Sequence, residues 1–217
     1  MRLQPGSDVP ARDLPAVNGR TAAVPDPDRL VHLQFRRFAG CPVCNLHLRS
    51  FAARHADIEA AGVREAVVFH SPAGELAEHA AGLPFAVVAD PDKKLYAEFG
   101  VESAPRALLD PRVWGTIVLA VLRGLRQVAR GRERAPAARP HGGRLGLPAD
   151  FLIAPDGRVV ACKYGEHAYD QWSVDELLAL AAGDLRSRWE RRPLPAAAGD
   201  ARRDRTPGEG HPGGGRS

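Results

Sequence analysis

The sequence predicts an α/β fold in which a central mixed sheet is flanked by helices, with a helical or loop insert before a final hairpin. Three observations carry this. Strand-like and helix-like segments alternate from residue 30 to residue 100, and the inner strands are short, nearly continuous apolar runs. A strand, a Pro-Asp-Gly turn, a second strand and one helix then close the pattern. Alternation of this kind calls for parallel strands joined by right-handed crossovers, and the closing hairpin adds antiparallel ones.

Residues 1–29 are rich in Pro, Gly and Asp and read as an extended arm packed on a domain. The domain itself is expected over 30–183, with an insert at 102–147. Leu30 to Phe38 alternates apolar and polar residues, as a strand does. After the Gly40-Cys41-Pro42 turn, Cys44, Leu48, Phe51, His55 and Ile58 recur at three- and four-residue steps and share one face of a helix ending at Gly62. Glu65 to His70 is a second strand, and Ser71-Pro72 opens a helix that ends near Gly82. Phe85 to Ala89 is a third strand, and Lys93 to Phe99 a short helix. Within the insert, Val113 to Val128 has amphipathic spacing, whereas Arg130 to Gly146 is an Arg/Pro/Gly-rich excursion. Phe151 to Ala154 and Arg158 to Tyr164 form the hairpin. Ser173 and Glu176 are placed as the capping box of the last helix. Residues 184–217 form a basic tail; beyond about Arg192 its composition cannot bury a core, and disorder is expected.

Of the 217 residues, 44% are hydrophobic and 26% charged, with a net charge of +4, which fits an ordinary soluble domain. The basic runs lack interleaved aromatic residues for base stacking, so nucleic acid is not expected as a partner. The longest apolar run, Trp114 to Leu122, falls far short of the ~20 residues of a membrane span. No apolar leader is visible, so neither a membrane nor secretion is expected, and the predicted location is the cytoplasm. No nucleotide fingerprint is present and no cofactor is predicted.

Three cysteines are too few for a disulfide scaffold, and two of them form Cys41-Pro42-Val43-Cys44. In a reducing compartment such a pair points to redox chemistry or metal binding. A helix N-terminus carries unsatisfied N–H groups and about half a positive charge, which lowers the pKa of a thiol placed there. Cys41, just ahead of the helix, is expected to be exposed and to attack. Cys44, on the apolar stripe, is expected to be shielded and to resolve the adduct. Pro42 suits a first helical turn. Arg36, Arg37 and Arg49 flank the turn, and Arg37 and Arg49 are candidates to stabilise a thiolate or an acidic substrate. His47 is read as an exposed helix residue, His55 as a hydrogen-bonded core histidine and Cys162 as an inert thiol. Tyr169 and Trp172 are read as packing groups. Glu166, His167 and Asp170 form a polar cluster without assigned chemistry, and spacing supports neither Glu65 nor Glu75 as a buried acid. Cys41, Cys44 and His47 also have a C-x2-C-x2-H spacing that leaves a zinc-binding or redox-sensing module as the alternative.

Several segments carry a family resemblance. Phe35-Arg36-Arg37-Phe38-Ala39-Gly40-Cys41-Pro42-Val43-Cys44-Asn45-Leu46-His47-Leu48-Arg49 is similar to the active-site segment of the peroxiredoxin-like AhpC/TSA family of the thioredoxin superfamily. Leu147-Pro148-Ala149-Asp150-Phe151-Leu152-Ile153-Ala154-Pro155-Asp156-Gly157 resembles its hairpin, and the arm from Pro5 to Leu14 its entry segment. The resemblance implies a thioredoxin-like fold and a thiol oxidoreductase that reduces hydroperoxides or protein disulfides. A thioredoxin-like or small thiol would supply the electrons. It also places Pro148 at the family's cis-proline, beside the active cysteine. The alignment puts Cys44 at the peroxidatic position, whereas the thioredoxin analogy makes Cys41 the attacker. The family's Thr or Ser three residues before that cysteine is replaced by Cys41, and its Pro four residues earlier by Arg37. Taking Cys41 as peroxidatic gives Phe38 and Gln34 instead, so the hydroxyl is missing either way. The sequence leaves the oligomeric state open, a homodimer among the options.

Overall fold

The computed structural model of the chain describes residues 2–80, 82–102, 114–131 and 140–190. A five-stranded mixed sheet forms the centre, in the order β5-β4-β3-β6-β7. Its strands are β3 (Leu30–Arg36), β4 (Val63–Phe69), β5 (Ala86–Ala89), β6 (Ala149–Ile153) and β7 (Val159–Tyr164). β3 runs parallel to β4, which runs parallel to β5, and β6 and β7 are antiparallel. The predicted mixed sheet with a closing hairpin is therefore present. A second, two-stranded antiparallel sheet of β1 (Arg12–Pro15) and β2 (Thr21–Val24) lies in the arm. Its isolated apolar residues had not predicted this pairing.

β3 sits mid-sheet and all seven of its residues are buried, although polar and apolar residues alternate along it. The apolar set Val31, Leu33 and Phe35 packs with Val68, Phe99 and Phe151 on one face. His32, Gln34 and Arg36 point to the other face, beneath helix α1 (Pro42–Ala53). That face also carries the main core, with Cys41, Cys44, Leu48, Phe51, Val67, Leu152, Trp172 and Leu177. Each fully buried Leu or Phe of this kind contributes roughly 1.5–3 kcal/mol.

The helix expected to run to Ala61 breaks at Arg54, whose φ of −113° departs from helical values, and restarts as α2 (His55–Ala60). Past the break His55 lies at the core margin: its side chain is 20% exposed, its Nε2 is 3.7 Å from Glu59, and its ring centroid is 6.1 Å from that of Phe85. Helices α3 (Ala73–Ala80) and α4 (Lys94–Glu98) follow. Helix α5 (Trp114–Ala129) lies in the insert and packs on α1. The final helix, α6 (Val174–Glu190), runs seven residues beyond the expected boundary at 183, because Asp184 is buried and pairs with Arg158 at 3.4 Å. The Ser173–Glu176 capping box forms as predicted, with Ser173 N donating to Glu176 Oε2 at 2.7 Å and Glu176 N to Ser173 Oγ at 3.2 Å. Residues 103–113 of the insert, 132–139 of the predicted excursion over Arg130 to Gly146, and the tail beyond 190 lie outside the described residues.

Candidate active site

β3 ends at Arg36, and the chain crosses the sheet edge through Arg37 to Gly40 before entering α1. Gly40 has a φ of 72°, which L residues with a side chain rarely adopt, and this reverses the chain toward the helix. Ser71 Oγ accepts from Ala39 N at 2.9 Å and ties the turn to the end of β4. Cys41 is the N-cap of α1: its sulfur accepts from Cys44 N at 3.4 Å, and Pro42 opens the helix without needing a partner. No acidic side chain lies in the first turn to compete for these N–H groups.

The structure brings three of the predicted residues together. Arg37 Nη2 donates to Cys41 Sγ at 3.0 Å, and its Nη1 donates to the Arg144 carbonyl at 3.2 Å, which fixes the guanidinium over the cysteine pair. Burial opposes ionisation of Cys44. The Cys41 hydrogen bond, the Arg37 charge and the Arg37 backbone N–H outweigh it and pull the Cys44 thiol down to about 6. Burial and the neighbouring Cys44 sulfur push Cys41 well up, against the pull of Arg37. Cys41 Sγ accepts from both Arg37 Nη2 and Cys44 N, and the Arg37 charge favours one thiolate in the pair.

Two expectations are corrected here. Cys41 is 0% exposed and Cys44 2%, so the attacking role given to Cys41 on grounds of exposure loses its basis. The turn folds back under Arg37, Phe38 and α5 rather than projecting into solvent; Gly124 of α5 faces the Pro42 ring. His47 is buried as well. Its Nε2 donates to the Trp172 carbonyl at 2.8 Å, and burial holds its pKa at about 3, so it is a neutral imidazole. Among the described residues no group of three His, Cys, Asp or Glu side chains is placed to hold a metal.

Arg49 lies on the exposed side of α1, away from the sulfurs. It lines a groove of about 440 Å³ between α1 and α5, with Pro42, Leu46 and Arg123 among its walls. Pro148 is buried and its carbonyl accepts from Gly165 N at 2.8 Å. The cis peptide among the described residues is Val24–Pro25, so the bond before Pro148 is trans, against expectation. Trp172 is buried as expected, while Tyr169 is exposed. Cys162, half-buried on β7, reaches the Leu3 carbonyl at 3.5 Å, and burial raises its pKa.

Beneath the cysteine turn lies a polar cluster that the sequence reading missed. His32 Nδ1 meets Glu65 Oε1 at 2.9 Å, and its Nε2 meets Asp150 Oδ1 at 3.1 Å. Arg36 Nη2 donates to the same Asp150 oxygen at 2.7 Å and to Gln34 Oε1 at 2.7 Å. Arg36, His32 and Asp150 are fully buried and Glu65 is 2% exposed, which corrects the reading that set Glu65 aside and places Arg36, expected only to flank the turn, inside the sheet face. Burial disfavours charge on His32, but Asp150 and Glu65 raise its pKa overall. Arg36 and His32 likewise hold Asp150 well below the usual carboxylate range against burial. Asp150 Oδ2 also accepts from Trp172 N at 3.3 Å, linking the cluster to the residue that receives the His47 hydrogen bond. The signal was the register. His32 is the Cα partner of Glu65, and Gln34 that of Asp150, so polar residues on three adjacent strands converge.

A family model described as "AhpC/TSA antioxidant enzyme" matches residues 50–167, more than half of the chain. The chain belongs to the AhpC/TSA family. The matched span begins just past the two cysteines, so their roles rest on the geometry above. No curated protein matches the chain in sequence. Among solved structures, the peroxidoxin BcpB of Mycobacterium tuberculosis superposes with a TM-score of 0.59 at 17% identity, covering 84% of this chain and 98% of that one. A cysteine-to-serine mutant of the peroxiredoxin 6 of Arenicola marina gives 0.60 at 15% identity, covering 86% and 76%. A thiol:disulfide interchange protein DsbE from Chlorobium tepidum gives 0.50 at 19% identity, covering 82% and 99%. The fold of this AhpC/TSA member is thus the thioredoxin-like fold of peroxiredoxins, and a thiol-based redox function follows at the family level.

Proposed function

We propose that the protein reduces hydroperoxides through the Cys41–Cys44 dithiol, with Cys44 as the attacking thiolate and Cys41 as its resolving partner. The observation that carries this is the buried Arg37 guanidinium beside the pair, 3.0 Å from Cys41 Sγ, whose charge helps pull the Cys44 thiol down to about 6 against burial. Cys44 sulfur attacks the distal oxygen of R–O–O–H, the O–O bond breaks, and the alkoxide leaves as ROH after taking a proton. The resulting Cys44 sulfenic acid is attacked by Cys41 sulfur, forming the S–S bond and releasing water. Two electrons from a thioredoxin-like or small thiol restore the dithiol. A cytoplasmic setting, where thiols are kept reduced, suits this cycle.

Because both sulfurs are buried, reaction requires transient opening of the Cys41 turn, the kind of local event a helix terminus allows at modest cost. A second reading is exchange with protein disulfides. It is favoured by Cys41 standing where the family's hydroxyl residue would hold a peroxide. Peroxide consumption and insulin-disulfide reduction, each coupled to a thiol reductant and run on the parent, Cys41→Ser and Cys44→Ser, separate these. Peroxide turnover lost in both variants supports the proposal. Turnover only on disulfide supports the second reading, and parental activity of both variants in both assays overturns both.

A further inference from the structure

Helix α5 presents an apolar stripe that none of the described residues covers. Val118, Leu119, Val121, Leu122 and Leu125 are between 39% and 61% exposed. The helix sits on the body through the opposite side, where Ala120 is buried and Gly124 faces Pro42. Val118, Val121, Leu122 and Leu125 recur at three- and four-residue steps, so they form one continuous ridge along a 16-residue helix. Arg123, Arg126 and Arg130 are all exposed and fall together along one edge of that ridge. No Asp or Glu occurs between residues 114 and 131.

We infer that α5 docks the protein on an anionic lipid surface, lying in the interface plane rather than spanning it. An apolar ridge flanked by arginine, with no acid, is complementary to acyl chains below and anionic headgroups beside. Seating the ridge in the headgroup region leaves Ala120 and Gly124 facing the domain, so docking needs no repacking. A second copy of the chain is the less favoured occupant. An antiparallel two-fold contact across this ridge would set one arginine edge against the other, and like charges at an interface disfavour association; a parallel one would leave both arginine edges without an acidic partner on this helix. This departs from the expectation that no membrane is a partner, which rested on the lack of a spanning segment: the helix is too short to cross a membrane, but its pattern is that of an interfacial helix.

The test is co-sedimentation of the full chain with vesicles of pure phosphatidylcholine and of phosphatidylcholine mixed with phosphatidylglycerol. The comparison is the parent, a Leu122→Gln/Leu125→Gln variant and an Arg123→Gln/Arg126→Gln variant. These residues are exposed, and unchanged far-UV circular dichroism confirms folding. The parent is expected to bind the phosphatidylglycerol vesicles, more weakly as salt rises, and each double variant to lose at least about tenfold in affinity. Parental binding by the Leu122→Gln/Leu125→Gln variant would place the attraction in other basic segments and overturn the proposal. Absence of binding would overturn it too, as would a parent dimer that this variant dissociates without vesicle binding by either.

Discussion

Arg37 and Cys41 are four residues apart in sequence and 3.0 Å apart in space, joined by a hydrogen bond from Nη2 to Sγ. Arg37 is itself held by the Arg144 carbonyl and is 3% exposed, so its charge is directed at the sulfurs with little solvent screening. This couples the end of β3 to the start of α1 and sets a positive charge beside both sulfurs.

Removing that charge should raise the Cys44 pKa. In the parent, iodoacetamide labelling of Cys44 is expected to rise with pH through a midpoint near 6. Arg37→Met should move the midpoint up by roughly one unit or more, and Arg37→Lys by less, since lysine keeps the charge but loses the fixed fork. The check is labelling rate against pH, resolved by peptide mass spectrometry.

Cys41→Ser should leave the first chemical step and block the second. One equivalent of peroxide should then yield a Cys44 sulfenic acid that dimedone traps, with turnover down at least about a hundredfold. Cys44→Ser should trap nothing at Cys41. Dimedone adducts read by mass spectrometry decide between them.

The buried cluster should be costly to break. Asp150→Ala strips Arg36 and His32 of their shared carboxylate oxygen and leaves two buried basic groups short of a partner. A loss of about 3–5 kcal/mol is expected in urea unfolding.

Stability should fall in acid. His47 and His70 have folded pKa values of about 3 and about 4, lowered first by burial, against an ordinary 6.5. The unfolded chain therefore binds more protons below pH 6.5, and each histidine removes up to about 1.4 kcal/mol per pH unit as pH drops toward its folded value. Asp150, with a lowered pKa, adds to the loss below its ordinary value of 3.8. His32 has the opposite sign, because its raised pKa stabilises below 6.5 and that contribution fades as pH rises through the folded value. His47→Gln should flatten the acid slope between pH 6.5 and 4 in thermal melts.

Gly165 carries a packing constraint. A Cβ there would lie 2.5 Å from the Asp170 carbonyl oxygen and 2.7 Å from the Pro148 ring, both of which are held in place. Gly165→Ala should cost about 1–3 kcal/mol, read as a lowered Tm.

Much of the fold was legible because apolar runs and turn residues mark element ends locally. Ser71-Pro72, Pro155-Asp156-Gly157 and the Ser173–Glu176 box all sit at element ends in the structure. The alternation at Leu30–Arg36 marked a strand correctly but did not say what its polar residues face. They are buried, and only the pairing of β3 with β4 and β6 reveals their partners. At the site, motif spacing placed Cys41 and Cys44 on the right turn. It could not show that α5 packs on the turn or that the Arg144 carbonyl holds Arg37 over the sulfurs, since those segments are remote in sequence. For the same reason His47, three residues past Cys44, reads as a surface residue until Trp172 is seen beside it.

The most direct measurement is disulfide mapping of the fully reduced chain after one equivalent of hydroperoxide, by peptide mass spectrometry without reduction. The account predicts a Cys41–Cys44 disulfide as the main product, with Cys162 still a thiol. Reduced Cys41 and Cys44 after the peroxide has been consumed, or oxidation confined to Cys162, would contradict it.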